Sequence, residues 1–305
     1  MIKAFISLLI FINISIANNI LPVFNIYKNK NTNNNLVIIG EIHGDESSGY
    51  LTAFYLTKNL KIKNSNYNIY IIPFTNINGI INNKRSIKYD FNNKFTKRIN
   101  KRDIDYHYVT SLKNILDNLK PKIVVSIHAG HKYTVGNSII IDEKKYKNIK
   151  LYNFILPVYL KLKKQINCKL VISNTIKNRY KYGQDNFNDL SWFCLTNYNS
   201  YFYTIESTKE QKIIKQIKFL LLFFQNLFDK LNIKSNINVI NNENLIKKQF
   251  KIKDKDYIFL TLLKNKFPDN NNHNTVNIIK ASFPILNVKK EIYYYDLQLN
   301  KILRY

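Results

Sequence analysis

The chain has 305 residues, 45% of them hydrophobic and 14% aromatic, which is long enough to bury a sizeable core and too apolar for a disordered or fibrous protein. Lys and Arg total 47 against 20 Asp and Glu, a net charge of +27. The lysines are scattered and no nucleic-acid motif accompanies them, so compositional drift explains the charge better than a polyanionic partner does. With only Cys168 and Cys194, a disulfide scaffold is excluded. The two thiols either pair in an oxidising compartment or lie buried.

Lys3 precedes the apolar run Ala4 to Ile16, and Ser15-Ile16-Ala17 supplies small residues at both recognition positions of a signal peptidase. This predicts a signal peptide over 1–17 and a periplasmic or secreted protein. No later run has the roughly 18 charge-free apolar residues of a membrane span. Ile217 to Leu227 contains Lys218 and Gln225 and reads as a buried amphipathic helix, so no stable span is expected after signal cleavage.

Leu36 to Ile39 reads as a buried strand, followed by a loop carrying His43. Ser48 to Leu60 has helical spacing, and Tyr67 to Phe74 alternates as a strand limited by Pro73. Thr75 to Asn100 is polar and reads as a long loop with few core residues. Next come a helix over Val109 to Leu119, stopped by Pro121, and a strand over Ile123 to Ile127. A helix over Ile149 to Gln165 and strands over Lys169 to Ser173 and Tyr201 to Ile205 follow, then a helix over Glu210 to Leu231.

Strands alternating with helices predict an α/β fold with a mixed, largely parallel sheet flanked by helices. Short β-type runs at Ile237 to Ile240, Tyr257 to Leu263, Val276 to Ile279 and Glu291 to Leu297 suggest a small β-rich region after it. The expected organisation is a signal over 1–17, a catalytic domain over 18–232 and a β-rich C-terminal domain over 235–305.

Two strand ends carry the chemistry. The first delivers His43 and, three residues on, Glu46; the second ends in His128. Two histidines and one carboxylate form a three-ligand set for one zinc ion with a coordination position left open. Gly44 and Gly130 close behind the histidines allow sharp turns. His107, His131 and His273 sit in polar surroundings, Asp142-Glu143 resembles an exposed turn, and Trp192 suits core packing.

Six pieces occur in order: His43-Gly44-Asp45-Glu46, Asn76-Ile77-Asn78-Gly79, Arg85, Asp90-Phe91-Asn92-Asn93-Lys94-Phe95, Ser126-Ile127-His128 and Thr204-Ile205-Glu206. Together they resemble the carboxypeptidase A-like zinc metallocarboxypeptidases. Within that family they look most like the bacterial peptidoglycan D,L-carboxypeptidases that determine helical cell shape. The resemblance implies a zinc-dependent hydrolase of terminal peptide bonds, with peptidoglycan peptides as partners and no nucleic acid. It implies that His43, Glu46 and His128 hold zinc and that Glu206 activates the attacking water. Arg85 would then stabilise the oxyanion and also bind substrate, Asn92 would help hold the substrate's terminal carboxylate, and Tyr182 lies near the place of a mobile tyrosine. The family usually has arginine after the asparagine, where this chain has Asn93. Lys94, Lys88 and Arg98 are the nearby cations that would replace it. Two alternatives remain open: a zinc deacylase or amidase of the aspartoacylase-like branch, and a non-catalytic cell-wall-binding protein.

Overall fold

The computed structural model describes residues 21–40, 42–95, 99–130, 136–141, 149–174 and 188–237, and the backbones of 257–265, 276–284, 293–296 and 301–304. The expected signal peptide, Tyr182, His131, Arg98, His273 and Asp142-Glu143 lie outside these residues.

Among the described residues, nine strands and six α-helices follow one another up to residue 235. They are β1 (Phe24–Tyr27), β2 (Asn35–Gly40), α1 (Ser47–Asn59), β3 (Ile62–Asn64), β4 (Asn68–Ile72), α2 (Ile77–Asn82), α3 (Tyr106–Leu119), β5 (Ile123–Gly130) and β6 (Asn137–Ile141). Then come α4 (Ile149–Gln165), β7 (Leu170–Asn174), α5 (Leu190–Tyr198), β8 (Tyr201–Thr208), α6 (Ile213–Lys230) and β9 (Lys234–Ser235).

Seven strands form one mixed sheet in the order β1-β4-β2-β5-β8-β6-β7. The central four, β4, β2, β5 and β8, run parallel. β1 pairs antiparallel with β4, and β6 antiparallel with β8. β2, β4 and β5 are buried almost end to end. That is why they read as continuous Val/Ile runs rather than alternating ones: both faces of a central parallel strand are covered.

α1 packs on β2 and β5, and α6 packs against α1, α4 and β8. α6 buries Phe219, Phe223, Phe224, Leu227 and Phe228, so the apolar run around Ile217 is core rather than membrane. No helix among the described residues is long and apolar enough to cross a membrane. Beyond β9, Tyr257–Asn265 pairs antiparallel with Val276–Pro284, and Tyr293–Asp296 with Lys301–Arg304.

Several expectations need correction. Thr75 to Asn100, expected as a long loop with few core residues, holds regular elements in its described part. It contains α2, capped by Asn76, and a 3-10 turn over Phe91–Lys94, capped by Asp90. Ile80, Phe91 and Phe95 within it are wholly buried. Both elements are too short to give a periodic signal, and their apolar residues stand singly among polar ones. Most of the strand expected over Ile237 to Ile240 lies outside the described residues; just before it, Lys234–Ser235 pairs with Ile62–Asn64. α3 does stop before Pro121, because Lys120 adopts a left-handed conformation, φ 42°. Cys194 is buried but Cys168 is exposed, and neither forms a disulfide.

Lys94 is fully committed to the fold. Its Nζ donates to Asp103 Oδ1 and Asp105 Oδ2, each at 2.8 Å. Lys94 is 7% exposed and Asp105 0%. Asp105 also accepts from Asn78 Nδ2 at 3.1 Å, which ties α2, the 3-10 turn and the start of α3 together. Removing the cation would strand two carboxylates in a dry site. Lys94→Ala should therefore cost about 3–5 kcal/mol of unfolding free energy, read by urea denaturation.

Candidate active site

The parallel register sets the site. β2 pairs with β5 up to Gly40 opposite Ile127, and β5 pairs with β8 so that His128 faces Glu206. The C-terminal ends of adjacent parallel strands open on the same edge of a sheet, where ligands of α/β folds bind.

Past β2 the chain turns through a loop that the Asn76 side chain holds. Asn76 Nδ2 donates to Ile42 O at 2.9 Å and Arg85 O at 3.0 Å, and its Oδ1 accepts from Gly79 N at 2.9 Å. One amide thus fastens the His43 loop to the Arg85 segment. The fit leaves no room for a side chain at Gly44, where a Cβ would lie 1.9 Å from the Gly79 carbonyl carbon.

His43, Glu46 and His128 come together with candidate ligand atoms all within 4.8 Å of one another. Glu46 Oε1 lies 2.9 Å from His43 Nδ1, and Glu46 Oε2 lies 3.0 Å from His128 Nδ1. The two Nδ1 atoms are 3.2 Å apart. Two nitrogens bound at about 2.0–2.1 Å to one tetrahedral zinc would be about 3.3 Å apart. The donor set and its spacing therefore fit a zinc ion.

Other side chains fix the rings. His128 Nε2 lies 3.0 Å from Ser126 Oγ, and His43 Nε2 lies 3.3 Å from Asp90 Oδ1. A carboxylate behind a ligating histidine sets the ring's orientation and basicity. Asp90 is held in turn by Arg85, whose Nε and Nη2 each lie 3.0 Å from Asp90 Oδ2. Arg85 Nη1 reaches to 3.5 Å from Glu46 Oε1. The Ala129 amide donates to Glu46 Oε2 at 3.0 Å.

These contacts shape the charges. Burial disfavours the charged form of His43, but the Glu46 and Asp90 carboxylates outweigh it and raise the imidazole to about 9. Burial likewise opposes ionisation of Glu46, and the two histidines overcome it, holding the carboxyl well below the usual range. Without a metal, a proton thus sits among the three candidate ligands.

Glu206 stands on β8 beside this cluster. A Cβ on Gly130 would lie 2.5 Å from Glu206 Oε2, so glycine there leaves room for the carboxylate. From the other neighbouring strand, Ser138 Oγ lies 3.4 Å from the same oxygen. Burial, aided by the like charge of Glu46, raises the Glu206 carboxyl above the ordinary glutamate range.

Asn92 Oδ1 accepts from Leu190 N at 3.2 Å, which docks the 3-10 turn on α5. Asn93 is exposed, and so is Lys88. Lys94, buried against Asp103 and Asp105, is withdrawn as a replacement for the missing arginine. His107 is exposed, and Trp192 packs against the core.

The sequence reading gave no role to Ser126, Ser138, Asp45 or Lys209, and quoted Asp90 only as part of a motif. Lys209 Nζ lies 2.7 Å from Asp45 Oδ2 and 3.9 Å from Glu46 Oε1. A short polar residue or a lone lysine carries no periodic signal. Only the position of Ser126, two residues before His128 on the same strand face, was open to reading.

Residues 32–132 match the succinylglutamate desuccinylase/aspartoacylase catalytic domain. No curated protein matches the sequence. The fold is similar to that of the cell shape determinant protein Csd4 from Helicobacter pylori. The apo form is 17% identical, with 93% of this chain and 75% of that chain covered and a TM-score of 0.67. The mDAP-bound form of Helicobacter pylori Csd4, a D,L-carboxypeptidase, is 17% identical over 92% of this chain and 74% of that chain, with a TM-score of 0.64. Bovine thrombin-activatable fibrinolysis inhibitor in complex with tick carboxypeptidase inhibitor is 12% identical over 70% of this chain and 86% of that chain, with a TM-score of 0.52. The architecture is the zinc-carboxypeptidase-like one, a largely parallel sheet flanked by helices.

Metal affinity should depend on pH. A metal needs the neutral His43 ring, which in the free protein stays protonated up to about pH 9. Apparent zinc affinity should fall about tenfold per pH unit below 9 from this proton alone, read by competition with a chromophoric chelator. At fixed pH, Asp90→Asn should weaken zinc binding about 10- to 100-fold.

Proposed function

We propose that the chain is a zinc-dependent metallocarboxypeptidase that hydrolyses a terminal peptide bond of murein stem peptides outside the cytoplasmic membrane. The observation that carries this reading is the Glu206 carboxylate in register with His128, beside the His43–Glu46–His128 cluster, in a fold similar to Csd4 across 93% of the chain. We read 18–232 as the catalytic domain behind a cleaved signal at 1–17, and 235–305 as its β-rich C-terminal domain.

In this reading His43, Glu46 and His128 hold one zinc per chain. Bound there, the metal supplies a Lewis acid that polarises the scissile carbonyl and makes water nucleophilic near neutral pH. Glu206 takes the proton of the attacking water and returns it to the departing amine. Its raised pKa strengthens it as a base, and Gly130 and Ser138 keep its carboxylate beside His128. Arg85 offers its guanidinium to the oxygen that gains negative charge, and the Asp90 carboxylate aligns it. Asn92, its carbonyl oxygen engaged by Leu190, presents its amide nitrogen to the substrate. Exposed, neutral Asn93 leaves the 3-10 turn without a charged carboxylate clamp.

The match of residues 32–132 to a desuccinylase and aspartoacylase catalytic domain favours a second reading, in which the same groups hydrolyse an N-acyl amino acid. The two readings share the metal site and Glu206 and differ in the leaving group.

Wild-type protein incubated with murein peptides should release a terminal amino acid detectable by mass spectrometry. Glu206→Gln should lower kcat about 10²- to 10⁴-fold while keeping its zinc. Hydrolysis of an N-acyl amino acid panel with murein peptides left intact would replace the first reading by the second. Zinc-loaded protein inert to both sets would overturn both.

A further inference from the structure

Among the described residues, the 3-10 turn offers no cation for a carboxylate clamp, since Asn93 is neutral and Lys94 is consumed by Asp103 and Asp105. Among the described residues, two cations reach the metal-ligand cluster, Arg85 and Lys209, both beside Glu46 Oε1. They occupy different walls. Arg85 belongs to the segment that Asn76 and Asp90 hold and that leads into the turn docked on α5. Lys209 follows β8, three residues beyond Glu206, and its backbone N–H donates to Gly130 O at 2.9 Å.

Lys209 is tied there by Asp45, at 2.7 Å. An ammonium has three donors, and this pairing uses one. The pair is half-open: the Lys209 side chain is 16% exposed and the Asp45 side chain 31%. Asp45 Oδ1 is buried with no hydrogen-bond partner among the described residues, so Asp45 leans on the lysine through its other oxygen alone. The result is a partly desolvated ammonium, held rigidly by strand end and carboxylate, with donors to spare beside the reacting centre. Partial desolvation is the condition under which a charged hydrogen bond to a ligand carboxylate contributes most.

We propose that Lys209 binds a carboxylate carried by the retained part of the substrate, so that the Asp45–Lys209 pair selects acidic acyl portions while the Arg85–Asn92 wall handles the departing end. The inference rests on the carboxypeptidase reading and names its substrate class: peptides with a free carboxylate shortly before the scissile bond. Lys209 acts as a specificity residue, and Asp45 positions it.

The test is equilibrium binding by calorimetry to the zinc-loaded Glu206→Gln protein, so that no turnover is needed. The probes are a murein tetrapeptide with its glutamate α-carboxylate free and the same peptide with that group amidated. The free acid should bind about 10- to 100-fold more tightly. Adding Lys209→Met should abolish this preference, and Lys209→Arg should retain it. Asp45→Asn should keep the preference, because the amide oxygen still accepts from the Lys209 ammonium and holds it in place, whereas Asp45→Ala should weaken it; a purely structural role for the pair would make Asp45→Asn and Lys209→Met fail alike. Equal affinities for the two peptides, including no binding of either, would overturn the proposal, as would a preference that survives Lys209→Met. A clear acid preference lost in Lys209→Met, with no hydrolysis by the wild type, would uphold the proposal and overturn the carboxypeptidase reading alone.

Discussion

The Glu46 carboxylate, buried between two imidazoles, is the constraint on which the rest of the structure turns. A buried carboxylate is costly unless it is paired and hydrogen-bonded. Glu46 meets His43, His128, the Ala129 amide and the edge of Arg85, and so remains ionised in a dry setting. Those partners come from three segments: the loop after β2, strand β5 and the stretch carrying Arg85. The arrangement therefore requires β2, β5 and the Arg85 segment to be in register at once. The buried parallel strands supply that register, and Asn76 closes the remaining gap between the His43 loop and Arg85.

A second layer of charge stands behind the first. Asp90 faces His43 and is held by Arg85, while Asp45 holds Lys209. Burial alone would push His43 toward neutrality and Glu46 toward protonation, and the layered pairing reverses both. The site thus keeps a proton where the proposed metal would sit, and binding a metal would displace it. Glu206 is treated differently. Among the described residues it has one weak hydroxyl contact and a glycine in place of a neighbour's side chain, so burial dominates and its proton affinity rises. Two carboxylates are thus driven in opposite directions, Glu46 toward ionisation and Glu206 toward protonation, the split the proposed roles require.

Much of this was open to reading in the residues themselves. Leu36 to Ile39 and Ile123 to Ile127 announce buried strands because both faces of each are covered, and their ends carry His43 and His128. The rest depended on contacts far apart in sequence. β1 at Phe24–Tyr27, β6 at Asn137–Ile141 and α5 at Leu190–Tyr198 are short and take their conformation from the sheet or from the turn they pack on. The stretch from Thr75 to Asn100 resembled a loop because its core residues, Ile80, Phe91 and Phe95, stand apart and are buried by docking rather than by a periodic face. The bond between Asp90 and His43 spans 47 positions. Lys94 illustrates the same limit: next to Asn93 it reads as a substitute clamp, yet its ammonium lies buried between Asp103 and Asp105.

The account stands or falls on the ligand set at the strand ends. X-ray absorption on the protein loaded with one equivalent of zinc tests it most directly. The account predicts a four-coordinate nitrogen and oxygen shell at about 2.0–2.1 Å with the scattering of two imidazoles and no sulfur. One imidazole should disappear in His43→Ala and one in His128→Ala. A sulfur ligand, three imidazoles, or a spectrum unchanged by either substitution would contradict it.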